Sequence, residues 1–395
     1  MNKKTKLVMR SLIYRLARMG IAKPPLPINL TLSVTNKCQS RCKTCSIWRL
    51  YKSHPARAKD ELSLEELERI FSSMGEVYFF NVSGGEPFLR PDLPQIIAAA
   101  CRHLQPAVIH VPTNALAPGL IEEKVQEILE IIRLRGRPPA FTIKPSLDGV
   151  GQVHDQIRGV GGNFDKLLDT LARLKRLKEK YPNLEVGVGT IISKYNLSHV
   201  RSTAAYAANL GLDSYISEIA EERTELFNIG NEITPSPEQY AQAIDDFNVG
   251  LKNGRIVGGE ISHMTLAVRQ VYYRYAIRIL REKRQVLPCY AGIANVHISP
   301  YGDVWPCCVL GYAKSMGNLR EFDYDFMSIW HSSRAQSVRE YITRGNCYCP
   351  LANQAYSNIL CNIGALFSVL LERRRLGGRQ QAATVQPEDK ISSLQ

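Results

Sequence analysis

Short apolar runs alternate with longer amphipathic stretches along the first half of the chain. A short apolar run is typical of a buried strand, and an apolar position every third or fourth residue predicts a helix. Strands and helices that alternate in this way indicate consecutive βα units around a parallel sheet. The predicted strands lie at residues 28–34, 77–82, 108–111, 140–146, 185–192 and 214–218. The predicted helices between them lie at residues 64–74, 93–103, 121–134, 164–180 and 197–210.

These βα units predict a partial barrel rather than the closed eightfold one, with the carboxyl ends of the strands facing a common cleft. Ser63 and Glu66 form a capping box where the first of these helices begins. Further helices are predicted at 234–247 and 261–284, and a cysteine-rich region begins at Cys289. The predicted fold class is therefore α/β, a partial (βα)6 barrel followed by a small Cys-rich α+β extension.

The composition, 45% hydrophobic and 22% charged, excludes a disordered chain and is ordinary for a globular protein. No apolar run is long enough to span a bilayer. The basic N-terminus lacks the apolar core and cleavage site of a secretory signal. Three of the ten cysteines cluster early, and six lie between Cys289 and Cys361, which suits iron or zinc ligation in a reducing cytoplasm. The remaining one, Cys101, is interpreted as a packed thiol on a helix.

The net charge of +13 predicts an anionic partner, such as nucleic acid, a phosphate-bearing substrate or a membrane surface. Residues 1–20 are basic without any acid and have apolar positions at near-helical spacing. Near the other end, the apolar segment 365–371 runs into Arg373, Arg374 and Arg375. Two interpretations stay open. Both ends pack on the domain with their charges solvated, or both make peripheral contact with an anionic membrane at its inner face.

Changes in these patterns divide the chain into five segments. The predicted units are a basic amphipathic N-terminal helix at 1–26, the barrel at 27–232, a helical connector at 233–287, the Cys-rich domain at 288–364, and an apolar-basic helix end with a disordered tail at 365–395.

Cys38, Cys42 and Cys45 form a C-x-x-x-C-x-x-C run directly after the first predicted strand. Three thiolates this close can hold three irons of a cubane cluster and leave the fourth iron open. An open coordination position is what allows a metal site to do chemistry. Here it would chelate a small molecule through an amine and a carboxylate. Zinc ligation and three inert packed thiols are the alternatives.

The cysteine run, followed after the second strand by Ser83-Gly84-Gly85-Glu86-Pro87, resembles the radical S-adenosylmethionine (SAM) superfamily. The resemblance implies a [4Fe–4S] cluster with an open iron on the three cysteines, and SAM bound to that iron. It assigns contact with the methionyl amine to Gly84, Gly85 and Glu86. Further SAM-site candidates at or after later strand ends are Thr113, Asn114, Ser146, Asp148, Thr190 and Ser193, with His154, Asp155 and Arg158 in the stretch that commonly follows. For Asp148 a tight turn is the alternative.

One position departs from the family pattern. The residue before the third cysteine is usually aromatic in this family and helps to seat the adenine, whereas here it is Thr44. Ile47 or Trp48 is expected to supply the apolar contact instead.

The segment from Cys289 to Cys307 resembles the start of the SPASM/twitch extension of many radical SAM enzymes, which binds auxiliary iron–sulfur clusters. Residues 296–306 predict a β-hairpin that brings these two cysteines together. The later spacing of a full SPASM region is absent, so one auxiliary [4Fe–4S] cluster is expected. Relatives carry a cysteine near the position of Asn353. Cys289 and Cys307 are the first two expected ligands, and the remaining positions are contested by Cys347, Cys349 and Cys361, with Cys308 as the sixth cysteine.

Structural zinc or an empty, degenerate site are the alternatives for this region.

The resemblance implies an enzyme that cleaves SAM reductively to a 5′-deoxyadenosyl radical and abstracts hydrogen from an unactivated C–H bond. The substrate would be a peptide, or a lipid or sugar metabolite, and the reductant a flavodoxin or ferredoxin. The alternative function is a nucleic-acid-binding or RNA-modifying iron–sulfur or zinc protein, favoured by the sequence pI near 9.2 and the Tyr/Arg-rich helix at 271–284.

Overall fold

The computed structural model describes residues 3–134, 138–251 and 260–384. One twisted sheet runs through them, with the strand order β6-β5-β4-β3-β2-β1-β7-β8-β9. The strands are β1 Asn29–Thr35, β2 Phe79–Gly84, β3 Val108–Thr113, β4 Ala140–Pro145, β5 Leu184–Ile192, β6 Ser214–Ile219, β7 Asn295–Ile298, β8 Asp303–Trp305 and β9 Gly317–Asn318.

Fourteen α-helices are assigned in these residues. They are α1 Lys3–Arg18, α2 Leu50–Ser53, α3 Leu64–Ser73, α4 Leu93–His103, α5 Pro118–Arg133, α6 Gln152–Arg158, α7 Asn163–Lys180, α8 Val200–Ala208, α9 Pro237–Leu251, α10 Glu260–Glu282, α11 Phe326–Trp330, α12 Ser333–Thr343, α13 Ala352–Leu360 and α14 Ile363–Thr384.

Strands β1 to β6 pair in parallel, each with the next along the chain, and are joined by crossovers that contain helices. Aliphatic and aromatic side chains on the helix-facing side of these strands belong to one continuous buried core. The sheet is not closed, because β6 and β9 form its two edges. This architecture confirms the predicted partial barrel.

The capping box predicted at the first crossover helix is present at the start of α3. The Ser63 hydroxyl accepts from the Glu66 amide, and the Glu66 carboxylate accepts from the Ser63 amide at 2.8 Å. Two backbone N–H groups at the start of the helix, which have no acceptor within it, are thereby hydrogen-bonded. A serine and a glutamate three residues apart are enough to define this end of the helix.

The cysteine-rich extension continues the barrel sheet instead of forming a separate one. Strand β7 pairs in parallel with β1, and β8 then pairs antiparallel with β7 through a turn at Gly302, whose φ is +90°. This is the hairpin predicted at 296–306. The second cysteine region is consequently attached directly to the strand that precedes the first cysteine run.

Two C-terminal helices close the side of the barrel that the open sheet leaves uncovered. On α10, Arg269 donates to the Ser217 carbonyl of β6 at 3.2 Å and lies over the ring of Tyr356 on α13 at 5.3 Å. On the other side, Asn295 of β7 donates to Gln354 of α13 at 2.7 Å. The space between β6 and β7 is therefore bridged by α10 and α13.

Helix α14 continues through residues 377–384, the first part of the tail that was predicted to be disordered. The rest of that predicted tail, residues 385–395, lies outside the described residues. Within the described residues no single helix has the length and apolar composition to cross a membrane. The helical segments Ala352–Leu360 and Ile363–Leu376 together have that length and composition, but they are bent by 99° relative to each other. The five domain boundaries stay predictions.

Candidate active site

The loop after β1 carries Cys38, Cys42 and Cys45, all partly buried. The Cys45 amide donates to the Cys42 carbonyl at 3.3 Å, and the Ser40 hydroxyl lies 3.1 Å from the Cys42 sulfur. Burial, together with the nearby Cys42 sulfur, raises the pKa of Cys38 to about 11 and that of Cys45 to about 12. Deprotonation of Cys38 and Cys45 therefore requires a positively charged partner.

Gly84 and Gly85 are required because the cysteine loop runs directly over them. A Cβ on Gly84 would lie 2.1 Å from the Thr35 carbonyl oxygen, and one on Gly85 would lie 2.3 Å from the Lys37 carbonyl oxygen. The Gly85 amide donates to the same Thr35 carbonyl at 2.8 Å. The two glycines thus let the end of β2 pair with the start of the cysteine loop.

Helix α6 holds the cysteine loop from the opposite side. The Arg41 amide donates to the Arg158 carbonyl at 3.0 Å, and the Lys43 amide donates to the Ile157 carbonyl at 2.9 Å. Gly159 follows in the left-handed conformation at φ +68°, with its α-carbon against the Arg41 carbonyl. Backbone contacts on both sides therefore define the loop before any cofactor binds.

The Glu86 carboxylate is almost completely buried and links β2 to the end of β3. It accepts from the Asn114 amide at 2.7 Å, the Thr113 hydroxyl at 2.9 Å and the Phe88 amide at 3.2 Å. Burial raises the pKa of Glu86 to about 7, although these hydrogen bonds lower it. Thr113 and Glu86 therefore orient Asn114, whose side-chain amide donates to the Cys38 sulfur at 3.6 Å.

Asp148 and Arg158 form a buried ion pair beside the cysteine loop. Arg158 Nη1 lies 3.1 Å from Asp148 Oδ2, and Asp148 Oδ1 accepts from the Ile191 amide of β5 at 2.8 Å. The guanidinium also interacts electrostatically with Cys42 and Cys38. Asp148 therefore orients a guanidinium whose charge acts on the thiols.

The other SAM-site candidates have different surroundings. The Thr190 hydroxyl is buried and donates to the Leu147 carbonyl, so it joins the ends of β4 and β5. The Asp155 carboxylate accepts from the Gly162 and Phe164 amides and thereby begins α7. Ser193 lies in the turn after β5. His154 Nδ1 accepts a hydrogen bond from the Asp148 amide. Ser146 forms a backbone β-bridge with Gly189 of β5.

Near the third cysteine, Thr44 is buried and its carbonyl accepts from the Asn228 side chain at 2.8 Å. Trp48 lies close by with Arg49 and Lys52 over its ring, at 5.1 and 4.9 Å, and its indole N–H is buried without a partner among the described residues. Ile47 is buried. A contact of Trp48 or Ile47 with an adenine stays a prediction.

The second cysteine region forms one pocket with four thiols. Cys289, Cys307, Cys347 and Cys349 line it together with Gln285, Gln354 and Asn358. The Gln285 side chain donates to the Cys347 carbonyl at 3.0 Å and accepts from the Cys289 amide at 3.4 Å. The later pair, Cys347 and Cys349, is therefore brought to the earlier pair by tertiary contacts.

Three further residues of the extension lie away from this pocket. Cys361 lines a different cavity, with Tyr14 of α1, and its carbonyl accepts from Arg15 at 2.6 Å. The Cys308 sulfur accepts from Arg223 at 3.0 Å, in the loop after β6. Asn353 donates to the Thr31 hydroxyl of β1 at 3.5 Å. The structure thus separates Cys361 from the ligand set in which it was a candidate.

Sequence reasoning missed the loop after β6, which contacts both the segment that follows Cys45 and Cys308 of the extension. Arg223 pairs with Glu225 at 3.2 Å and contacts Cys308, and the Ser46 amide donates to the Leu226 carbonyl at 2.8 Å. Its only sequence signal was a group of charged residues directly after a strand.

The candidate donors of both sites are thiols, the ligands that hold iron–sulfur clusters. The Asn114 amide directed at Cys38 and the buried Arg158 supply a donor and a positive charge for thiolate sulfurs. The three-cysteine loop and the four-cysteine pocket therefore both fit a cluster.

Comparison with known proteins agrees with this geometry. The sequence model of the radical SAM superfamily matches residues 32–207, and that of the SPASM iron–sulfur cluster-binding domain matches residues 289–350. Among solved structures, Streptococcus suis SuiB bound to precursor peptide SuiA is similar in fold, with a TM-score of 0.56, 15% identity, and coverage of 84% of this chain and 70% of that chain.

Curated relatives are similar over most of this chain. The antilisterial bacteriocin subtilosin biosynthesis protein AlbA of Bacillus subtilis is 24% identical over 78% of this chain, but the match spans only 60% of AlbA. The mycofactocin maturase MftC of Mycolicibacterium smegmatis is 24% identical over 81% of this chain and 74% of MftC. The AdoMet-dependent heme synthase of Oleidesulfovibrio alaskensis is 26% identical over 76% of this chain and 73% of the synthase.

The cofactors implied by these two domains are a [4Fe–4S] cluster with SAM in the barrel and auxiliary iron–sulfur binding in the extension. With the three-cysteine loop over Gly84 and Gly85 and the four-cysteine pocket in the extension, the chain carries a radical SAM domain at residues 32–207 and a SPASM domain at residues 289–350.

Proposed function

We propose that this chain is a radical SAM enzyme that modifies a peptide substrate and uses one auxiliary cluster. The observation that carries the proposal is the cysteine loop clamped between the glycines of β2 and helix α6, with a second, four-thiol pocket in the same sheet. A peptide substrate is supported by AlbA and MftC, which are named for the maturation of a bacteriocin and of mycofactocin.

The residues of the chain have distinct roles in this proposal. Cys38, Cys42 and Cys45 would hold the first cluster, which with SAM supplies one-electron cleavage and hydrogen abstraction from an unactivated C–H bond. Arg158 balances the negative charge of the thiolates, and Asp148 keeps its guanidinium in place.

Around this centre, Glu86 orients Asn114 toward the Cys38 sulfur. In the extension, Gln285 orients the two ends of the four-thiol pocket. An acidic one-electron carrier such as a flavodoxin or ferredoxin is the proposed reductant, because the net charge of +13 would attract it.

The test is anaerobic reconstitution, with iron and sulfide counted, followed by dithionite-driven SAM cleavage measured as 5′-deoxyadenosine. Wild type should hold about eight irons, and a Cys38/Cys42/Cys45→Ala variant about four without cleavage. Cys101→Ala is the matched control, since this buried cysteine lies on α4 in the hydrophobic core. Zinc in place of iron, or a fully loaded wild type that makes no deoxyadenosine, would refute the proposal.

We also propose peripheral contact with an anionic membrane, because helix α1 presents an apolar face to solvent. Its opposite face is docked, with Tyr14 buried, Arg15 on the Cys361 carbonyl and Arg18 on the Cys289 carbonyl at 3.1 Å. Two of the basic residues that were expected to be solvated therefore anchor the helix. The exposed apolar residues on α1 are Met9, Leu12, Ile13 and Leu16, and the exposed Met19 follows its end.

Helix α14 lines the same cavity as α1 through Leu366 and presents exposed apolar residues of its own. Its exposed apolar residues are spaced as one helical face, and the exposed Arg373, Arg374 and Arg375 follow them. An apolar face bordered by arginines is complementary to a membrane with anionic headgroups over an acyl layer. A second molecule of this chain would instead be repelled by the like positive charge. The α14 residues are Ile363, Phe367, Leu370 and Leu371, which are 46–70% exposed.

Co-sedimentation with phosphatidylglycerol vesicles tests the membrane proposal, with phosphatidylcholine vesicles in parallel. Wild type should bind the anionic vesicles, and Leu12→Glu combined with Leu16→Glu should weaken binding at least about tenfold by placing charges in the acyl layer. Leu134→Glu is the control, because Leu134 is 84% exposed at the end of α5. Equal binding by the double variant, or none by wild type, would contradict the proposal.

A further inference from the structure

The inner face of the barrel is polar, unlike that of a filled barrel. On β2 to β6, buried apolar residues alternate with partly exposed ones that are mostly polar or small. Packed barrel interiors are instead dominated by bulky branched side chains. The interior of this barrel therefore has room for a ligand. The partly exposed positions include Asn81, Ser83, His110, Lys144, Glu185, Gly189 and Glu218.

Three nitrogen donors at this inner face have no protein acceptor. Lys144 Nζ makes no hydrogen bond or ion pair to any described residue. His110 Nε2 and Arg269 Nε are also buried without a hydrogen-bond partner among the described residues. Neighbouring strands place them together, since His110 is paired with Thr142 on β4, two residues before Lys144.

Arg269 reaches the same space from the helix that covers the open side. Its side chain is 5% exposed, Nη1 is used on the Ser217 carbonyl, and Nε is left free of protein acceptors. The charge of Arg269 acts electrostatically on both Lys144 and His110. Arg269 is a buried cation without an ion-pair partner among the described residues, Lys144 is a second cation, and the His110 ring can offer a further N–H, so the arrangement favours an anion.

The carboxylates that face Lys144 do not neutralise it. Glu185 and Glu218 act on it electrostatically, but neither lies within ion-pair distance of Lys144 or Arg269 among the described residues. Glu185 accepts instead from the Thr142 hydroxyl at 3.3 Å. Burial and the charge of Arg269 lower the pKa of Lys144 to about 7, an effect that a bound anion would reverse.

We propose that the barrel interior binds an oxyanion group of the substrate, a carboxylate or a phosphate, between Lys144, His110 and Arg269. Ser146 follows Lys144 by two residues on the same side of the chain, so the anion would lie roughly 7 Å below the expected SAM site. This inference rests on the proposed function and names the substrate class, a peptide with an acidic side chain.

Calorimetric titration of the reconstituted enzyme tests the inference with two probes, N-acetylglutamate N-methylamide and inorganic phosphate, at matched ionic strength. Wild type should bind the carboxylate probe, and Lys144→Met should weaken binding at least about tenfold. Lys144→Arg should retain most of the affinity, because it keeps the charge. Lys194→Met is the control, since the side chain of Lys194 is 43% exposed outside the barrel.

A second measurement does not depend on the probe. Lys144→Met removes a partly buried cation that has no ion-pair partner among the described residues, so without ligand its melting temperature should equal or exceed that of wild type. If Lys144→Met does not fold, Arg269→Gln should show the same loss of probe binding.

Preferential binding of phosphate would support the oxyanion site and assign it to a phosphorylated metabolite instead of a peptide. No binding of either probe by wild type, or equal binding by Lys144→Met, would overturn the inference. Deoxyadenosine formation by wild type reports separately on the proposed function, so the two proposals can fail independently.

Discussion

The auxiliary ligand set can be tested with two double variants that remove the same number of thiols. Cys347→Ala/Cys349→Ala removes half of the four-thiol pocket, whereas Cys308→Ala/Cys361→Ala removes two cysteines that lie outside it. All four residues belong to the same small region; Cys347 and Cys349 are partly buried, and Cys308 and Cys361 are buried.

The expected loss of bound iron follows from the number of thiolates that remain in the pocket. A cubane cluster is held by four cysteines or, in the barrel loop, by three with an open iron. Two remaining thiols do not hold one, so Cys347→Ala/Cys349→Ala should lose about four of about eight irons. Cys308→Ala/Cys361→Ala should keep about eight irons, with roughly 1–2 kcal/mol lost from the two small buried cavities.

The assay is iron and sulfide content after anaerobic reconstitution, with electron paramagnetic resonance of the reduced protein. The signal of the barrel cluster and its change on addition of SAM should persist in both variants. Full iron content in Cys347→Ala/Cys349→Ala would refute the reasoning. So would a loss of about four irons in Cys308→Ala/Cys361→Ala, provided that circular dichroism shows the fold is intact.

Two further predictions concern how the barrel is held. Gly84→Ala should destabilise the protein by roughly 3 kcal/mol or more and reduce iron retention, because the new Cβ would lie 2.1 Å from the Thr35 carbonyl oxygen. The control is Gly119→Ala, whose Cβ would have no atom within 4 Å and which should be neutral or stabilising in thermal unfolding. Arg320→Gln should lower the free energy of unfolding by about 1 kcal/mol, because the Arg320 guanidinium binds the Glu66 carboxylate at 2.7 and 2.9 Å across the two domains. A double-mutant cycle with Glu66→Gln, measured by urea unfolding, should recover that coupling energy.

Sequence patterns were sufficient for the barrel and for the first cysteine site. The alternation of apolar strands and amphipathic helices reports local burial, and each predicted strand overlaps an observed one. The ligands Cys38, Cys42 and Cys45 lie within eight residues, so their proximity is a property of the local chain. Gly84 and Gly85 were recognised by motif, but the reason for them, the Thr35 and Lys37 carbonyls, is a contact between two strands.

Everything that depends on long-range contacts was decided by the tertiary structure. Spacing left Cys347, Cys349 and Cys361 in competition, and only the path of α13 and α1 separates Cys361 from the pocket. The amphipathic pattern of α1 predicted an apolar face but not that this face is exposed while Arg15 and Arg18 dock.

The polar barrel interior has the same origin. Lys144 in a strand is an exception to the apolar pattern, and its meaning depends on Arg269, which arrives from a helix more than a hundred residues later. By itself the sequence determined the local periodicity, the caps and the short-range thiol run, because these involve neighbours along the chain. Only the tertiary structure decided which distant side chains share a pocket, because that depends on how the sheet and its covering helices pack.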